Sequence, residues 1–186
     1  MTRSESDRSD SDRSEGGEGQ IAAADAEATN PVTAQVNQLD RGSAVAIVGH
    51  PIHAMLVHFP IALAVGALGL DVLFWLSADP FFARAALWAA GGAFLSGVAA
   101  SLVGLAEVLL VPGIRARGAS WTHAVAALTF LAACAANWGL RLQGGPVLPD
   151  GLAMSALSTA LAGLAGWHGG KLIFDHGIGL MISPRD

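Results

Sequence analysis

Four apolar runs, at about 54–76, 83–111, 121–142 and 152–174, leave this chain few ways to fold. Crossing the hydrocarbon of a bilayer takes about 20 residues at a rise of about 1.5 Å each, and every run meets that length. The second run is the longest and is expected to tilt. The breaks between them, SADPFF, PGIRARGAS and QGGPVLPD, are rich in proline and glycine. Connections this short force neighbouring helices to run antiparallel. The expected fold is therefore all-α: a four-helix transmembrane bundle, up-down-up-down, over residues 45–182.

Charge supports the same division. Only 13% of the 186 residues are charged, about half the share in a soluble domain. Residues 1–40 alone hold nine acids against three arginines, whereas the remainder holds six acids and seven bases. The net charge of -5 thus belongs to the front of the chain and says nothing about an acidic or basic partner. Residues 1–44, with SESDRSDSDRSEGGEG near their start, lack the apolar mass to offset chain entropy and are expected to be a disordered acidic tail. No apolar run follows the first arginines within thirty residues, so the tail does not read as a secretory signal. No basic patch with interleaved aromatics exists, which removes nucleic acid as a partner. The lone Cys134 has no internal disulfide partner.

Lysine and arginine near helix ends set orientation. Arg41, Arg115, Arg117, Lys171 and Arg185 fall on one side, and Arg84 and Arg141 on the other. The expected location is the cytoplasmic (inner) membrane, multi-pass, with both termini in the cytoplasm. Trp75, Trp88, Trp121, Trp138 and Trp167 lie mostly near helix ends, as interfacial anchors do.

An even number of crossings gathers the chemistry. His50, His53 and His58 open the first helix, Glu107 closes the second, His123 opens the third, and His168 and His176 close the fourth. All seven fall in one layer. The opposite layer offers Asp71 and Asn137. Ionisable groups at membrane depth are costly and usually face the bundle interior. By helical phase, His123, Ala127, Phe130, Cys134, Asn137 and Arg141 share a face of the third helix. Ala89, Gly92, Ala93, Ser96, Ala100, Gly104 and Glu107 form a small-residue face on the second, and Ala156, Thr159, Gly163, Gly166 and Gly170 one on the fourth. Small faces allow close approach or leave room for a flat group. His168 points away from its helix's small face, beside Lys171 and Asp175. Asp71 lies off the His58 direction unless Pro60 kinks the helix, and suits a helix–helix hydrogen bond.

GHPIHAMLVHFPIAL at 49–63, Glu107, the WTHA at 121–124, and GWHGGKLIFDHGIGL at 166–180 resemble an uncharacterised family of bacterial integral membrane proteins, domain of unknown function 2231. The resemblance covers about Gly49 to Leu180. Two positions depart from the family pattern. Ala54 stands where proline is frequent, and His168 where an apolar residue is usual, which argues against His168 as a shared ligand. Relatives joined to Rieske-type iron–sulfur modules imply electron transfer, with an iron–sulfur protein as redox partner, by analogy alone.

Three chemistries compete for the histidine layer. Haem b held between His58 and His123 suits helices one and three, which are diagonal in such a bundle. Axes about 8–10 Å apart give a diagonal of about 12–14 Å, enough for two imidazoles to reach one iron. His53 and His176 are secondary candidates. A non-haem metal site would draw on His53, His58, Glu107 and His123, since imidazole and carboxylate suit zinc, iron or copper. The same residues could line an ion or proton path, although a four-helix carrier would need to form a homo-oligomer. Against all three stands a membrane subunit with no cofactor, its histidines capping helices and meeting headgroups. No Ser-His-Asp order, phosphate loop or HExxH motif points to a soluble enzyme.

Overall fold

The structure is a computed structural model that describes residues 45–47 and 50–178, within one compact unit, Arg41–Met181. The expected tail at 1–44 lies outside the described residues. Two short strands, β1 (Ala46–Ile47) and β2 (His50–Pro51), pair antiparallel ahead of the first helix. Six helices follow: α1 (Ile52–Leu56), α2 (His58–Ser77), α3 (Pro80–Leu110), α4 (Pro112–Arg115), α5 (Gly118–Leu142) and α6 (Leu152–Phe174). Four spans, Ile52–Ser77, Pro80–Leu110, Gly118–Leu142 and Val147–Phe174, are long and apolar enough to cross a membrane. The all-α four-helix bundle follows from them.

Local chemistry sets the boundaries. Proline 60 carries no amide hydrogen, so the carbonyl of Leu56 loses its helical donor. The first span is accordingly interrupted at Val57 rather than kinked, which leaves His53 on the short α1. At the next junction the Asp79 carboxylate accepts the Phe81 amide at 2.8 Å and Pro80 takes the first helical position, an arrangement suited to an N-terminus. The second helix therefore begins three residues before the apolar run that marks it in the sequence. After α5, Gly144 adopts a φ of 75°, which a side chain would strain.

The four long helices form a square. Helices α2 and α5 each pack against α3 and α6, so α2 and α5 are diagonal. Small residues make the contacts: Ala64, Ala93, Cys134 and Ala162 surround the single large buried ring of Phe130. Large apolar side chains point outward instead, with Leu76 at 76% exposure and Leu102 at 63%. That inversion is what a lipid solvent permits, since burying Leu gains little when the surroundings are equally apolar. Trp75, Trp88, Trp121 and Trp167 are exposed, but Trp138 turns inward and stacks near Phe94 with ring centroids 5.9 Å apart. Gly91 makes room for it, since a Cβ there would lie 2.8 Å from the indole nitrogen.

Two sequence expectations change. On α6 the inner face is Ser155, Ser158, Ala162 and Ala165, while Ala156, Gly163 and Gly166 face outward. The small-residue pattern was one position out of phase because the buried hydroxyls, not the glycines, have partners inside. Arg141, counted near a helix end for orientation, is buried on the inner face of α5. Its guanidinium donates to both oxygens of Asp71, at 3.0 and 2.6 Å, to the Asn137 side-chain oxygen at 2.9 Å, and to Gly151 O and Ser155 Oγ. Asn137 in turn donates to Ser155 Oγ at 3.0 Å. The pair is sealed, with side-chain exposures of 3% and 0%, and it ties α2, α5 and α6 together.

Removing one member of a buried pair strands the other charge and costs about 3–5 kcal/mol, whereas replacing both with apolar residues can be close to neutral. Asp71→Ala is expected to lower unfolding stability in detergent by that amount. Asp71→Leu combined with Arg141→Met should recover most of the loss, as read by denaturant titration followed by circular dichroism.

Candidate functional site

At the opposite end of the bundle the structure brings two imidazoles together. His53 on α1 and His123 in the first turns of α5 lie with ring centroids 6.3 Å apart and planes at 79°. Each ring is held from behind. His53 Nδ1 is 2.9 Å from Ala100 O on α3, and His123 Nδ1 is 3.2 Å from Ala165 O on α6. A carbonyl oxygen can only accept, so each Nδ1 carries the hydrogen. In a neutral imidazole that leaves Nε2 with its lone pair. A ring nitrogen fixed by a backbone carbonyl is the usual partner of a metal-ligating nitrogen on the same ring.

Glycine shapes both sides. A Cβ at Gly104 would stand 2.8 Å from His53 Cε1, and one at Gly169 would stand 3.1 Å from His123 Cε1. The rings therefore rest on the backbones of α3 and α6. Glu107, three residues after Gly104, is buried at 8% exposure. His123 shares its face of α5 with Phe130, Cys134, Asn137 and Arg141, all four of them buried, as the spacing indicates.

The other expected residues fall elsewhere. His58 is exposed, its Nδ1 3.4 Å from Met55 O one turn back. Five residues apart, His53 and His58 point about 140° from each other at 100° per residue, so the pair across the diagonal is His53–His123 and not His58–His123. His176 is partly buried and lines a recess of about 310 Å³ with Ala119, Thr122, Trp167, His168 and Lys171. Lys171 pairs with Asp175 at 3.6 Å across an exposed surface. The side chain of His50 lies outside the described residues. Among the described residues, no three of His, Cys, Asp and Glu gather as a metal-binding group. The four-ligand set of His53, His58, Glu107 and His123 is thus not assembled. Sequence reasoning missed that His53 is the inward ring. The signal was Gly104, a residue with no side chain one turn before a buried carboxylate.

A family model described as "Predicted membrane protein (DUF2231)" matches residues 49–181. The chain belongs to this family. The match takes in both members of the histidine pair, the buried Asp71–Arg141 pair and all four spans, and it leaves out the acidic tail. As a member of this membrane-protein family with four candidate spans, the chain has the lipid bilayer as its surroundings. No curated protein matches the chain, and no solved structure does.

The glycine contacts give a direct test. Gly104→Leu forces the His53 ring off its support and is expected to destabilise the bundle by about 1–3 kcal/mol, the usual range for overpacking. Gly66→Leu, at a position with nothing within 4 Å, should leave the unfolding midpoint unchanged. Equal effects at both positions would show that the rings do not rest where described.

Proposed function

We propose that this family member is a redox subunit of the cytoplasmic membrane that holds one haem b between His53 and His123. One observation carries the reading: two imidazoles from opposite sides of the bundle, each anchored through Nδ1, lie 6.3 Å apart. Two imidazoles trans on one ion have ring centres about 6 Å apart, because each metal–nitrogen bond is about 2 Å and the ring centre is about 1 Å further. Bound haem would supply one-electron chemistry, with its potential set by the two ligands and their hydrogen bonds. His53 and His123 would hold the iron, while the carbonyls of Ala100 and Ala165 fix the tautomer. The opposite layer contains Asp71, Asn137, Arg141 and Ser155 and no histidine. Electrons would accordingly enter and leave on one side, serving transfer to a soluble partner such as an iron–sulfur protein, or redox sensing.

A second reading rests on the close seat of the rings. They already fill the space over Gly104 and Gly169, so a porphyrin must part α3 and α6 to enter. A bare metal ion such as copper or zinc, with water completing its shell, needs no such movement.

Orientation belongs to the same proposal. With Arg141 neutralised by Asp71 it no longer counts as a loop charge. Arg84 then stands against Arg115, Arg117 and Lys171 on the histidine side, which supports cytoplasmic termini.

Purified protein made with haem available is expected to show a Soret band that shifts on reduction. His53→Ala and His123→Ala should each abolish it, and His58→Ala should retain it. A colourless protein with one metal ion per chain favours the second reading, and one with neither ends both.

A further inference from the structure

We infer that the start of α5 is an oxyanion site that takes a phosphate group, presented by Arg117, Ser120 and the first-turn amides. Two buried polar atoms there have no hydrogen-bond partner, Arg117 Nε and Ser120 Oγ. Ser120 is 3% exposed. Arg117 occupies the N-cap of α5 and Ser120 its third position, and no side chain caps this end. In a capping box the residues at these two positions satisfy each other's end of the helix, and here no such bond forms. Here the N-cap holds a guanidinium, which can only donate where an acceptor belongs, and the Ser120 hydroxyl, able to donate and to accept, has no partner.

Electrostatics points the same way. A helix N-terminus carries partial positive charge and favours an anion; a cation there is unfavourable. The amides of Gly118 and Ala119 have no intrahelical acceptor, as in any first turn. Arg115 adds a second guanidinium two residues earlier, and neither arginine makes an ion pair among the described residues. Arg117 Nε and Ser120 Oγ lack a partner, and an acceptor with negative charge and several oxygens would meet both. Phosphate supplies that, and helix N-termini bind it readily. Arginine matches it in geometry as well as charge.

The corner also lies at headgroup depth. Trp121, half exposed, donates its indole hydrogen to Arg115 O at 2.9 Å, and tryptophan marks the membrane–water boundary. The phosphate therefore comes either from a phospholipid headgroup or from free phosphate. This site does not rest on the haem reading. His53 and His123 play no part in it.

The test uses the full chain in phosphate-free detergent, with the thermal midpoint read by circular dichroism. Phosphatidylglycerol, diacylglycerol and inorganic phosphate are added separately. Phosphatidylglycerol is expected to raise the midpoint, and Ser120→Ala and Arg117→Gln should each remove at least half of that rise. Arg84→Gln, at the far end of the bundle, should keep the full rise. A matching rise with inorganic phosphate assigns free phosphate as the source, and its absence assigns the lipid. The proposal is overturned if diacylglycerol raises the midpoint as much as phosphatidylglycerol, if both variants keep the full rise, or if the wild-type chain shows none. Should a variant fail to fold, phosphorus per chain after purification of the other reads the same site, with undiminished phosphorus counting against it.

Discussion

Arg141 and Asp71 meet in a place where neither could survive alone. Isolated charges in the apolar interior would each lose several kcal/mol of hydration, and only a partner with matched geometry offsets that loss. The guanidinium supplies it through two parallel bonds to the carboxylate, and its remaining donors reach Asn137, Ser155 and the Gly151 carbonyl. No other contact in the described residues joins three long helices by polar bonds. The rest of the interior between the long helices is mostly alanine, glycine and serine, which permit close approach without dictating which helix meets which. The ion pair provides the choice of partners. It fixes the rotation of α2 against α5 across the diagonal, and that rotation sets where the residues at the other end of each helix come to rest.

The two ends consequently differ in kind. One is a closed polar knot with its hydrogen bonds matched. The other holds two imidazoles whose inner-ring nitrogens are tied to carbonyls while the outer ones keep lone pairs, beside a corner with spare donors and no acceptor. A bundle with a closed polar network at one end, and with unmatched Arg117 Nε and Ser120 Oγ at the other, is asymmetric in chemistry although regular in architecture. The open end is where binding belongs, because buried groups without partners are costly unless something meets them.

Much of this was legible in the sequence. Apolar run length gave the four crossings, because hydrocarbon thickness admits few alternatives. Even parity placed the histidines in one layer without any knowledge of packing. On α5 the three- and four-residue spacing identified the inner face correctly from His123 to Arg141. What failed depended on phase or on pairing. Five residues separate His53 from His58, about 140° of helix at 100° per residue, so only one of them can face inward, and the sequence did not say which. On α6 glycine and alanine are so frequent that size alone could not choose the face; the buried hydroxyls of Ser155 and Ser158 chose it. Spacing put Arg141 on the inner face of α5, but its pairing with Asp71, seventy residues earlier, was not legible.

The interruption at Val57 has a mechanical side. His123 is set within a continuous helix of 25 residues, braced on two neighbours. His53 rides on a segment of five, joined to the bundle by a broken ladder of backbone bonds. One ring of the pair thus belongs to a long continuous helix, while its opposite sits on a short one that is held to the bundle through the Ala100 carbonyl and the Gly104 backbone.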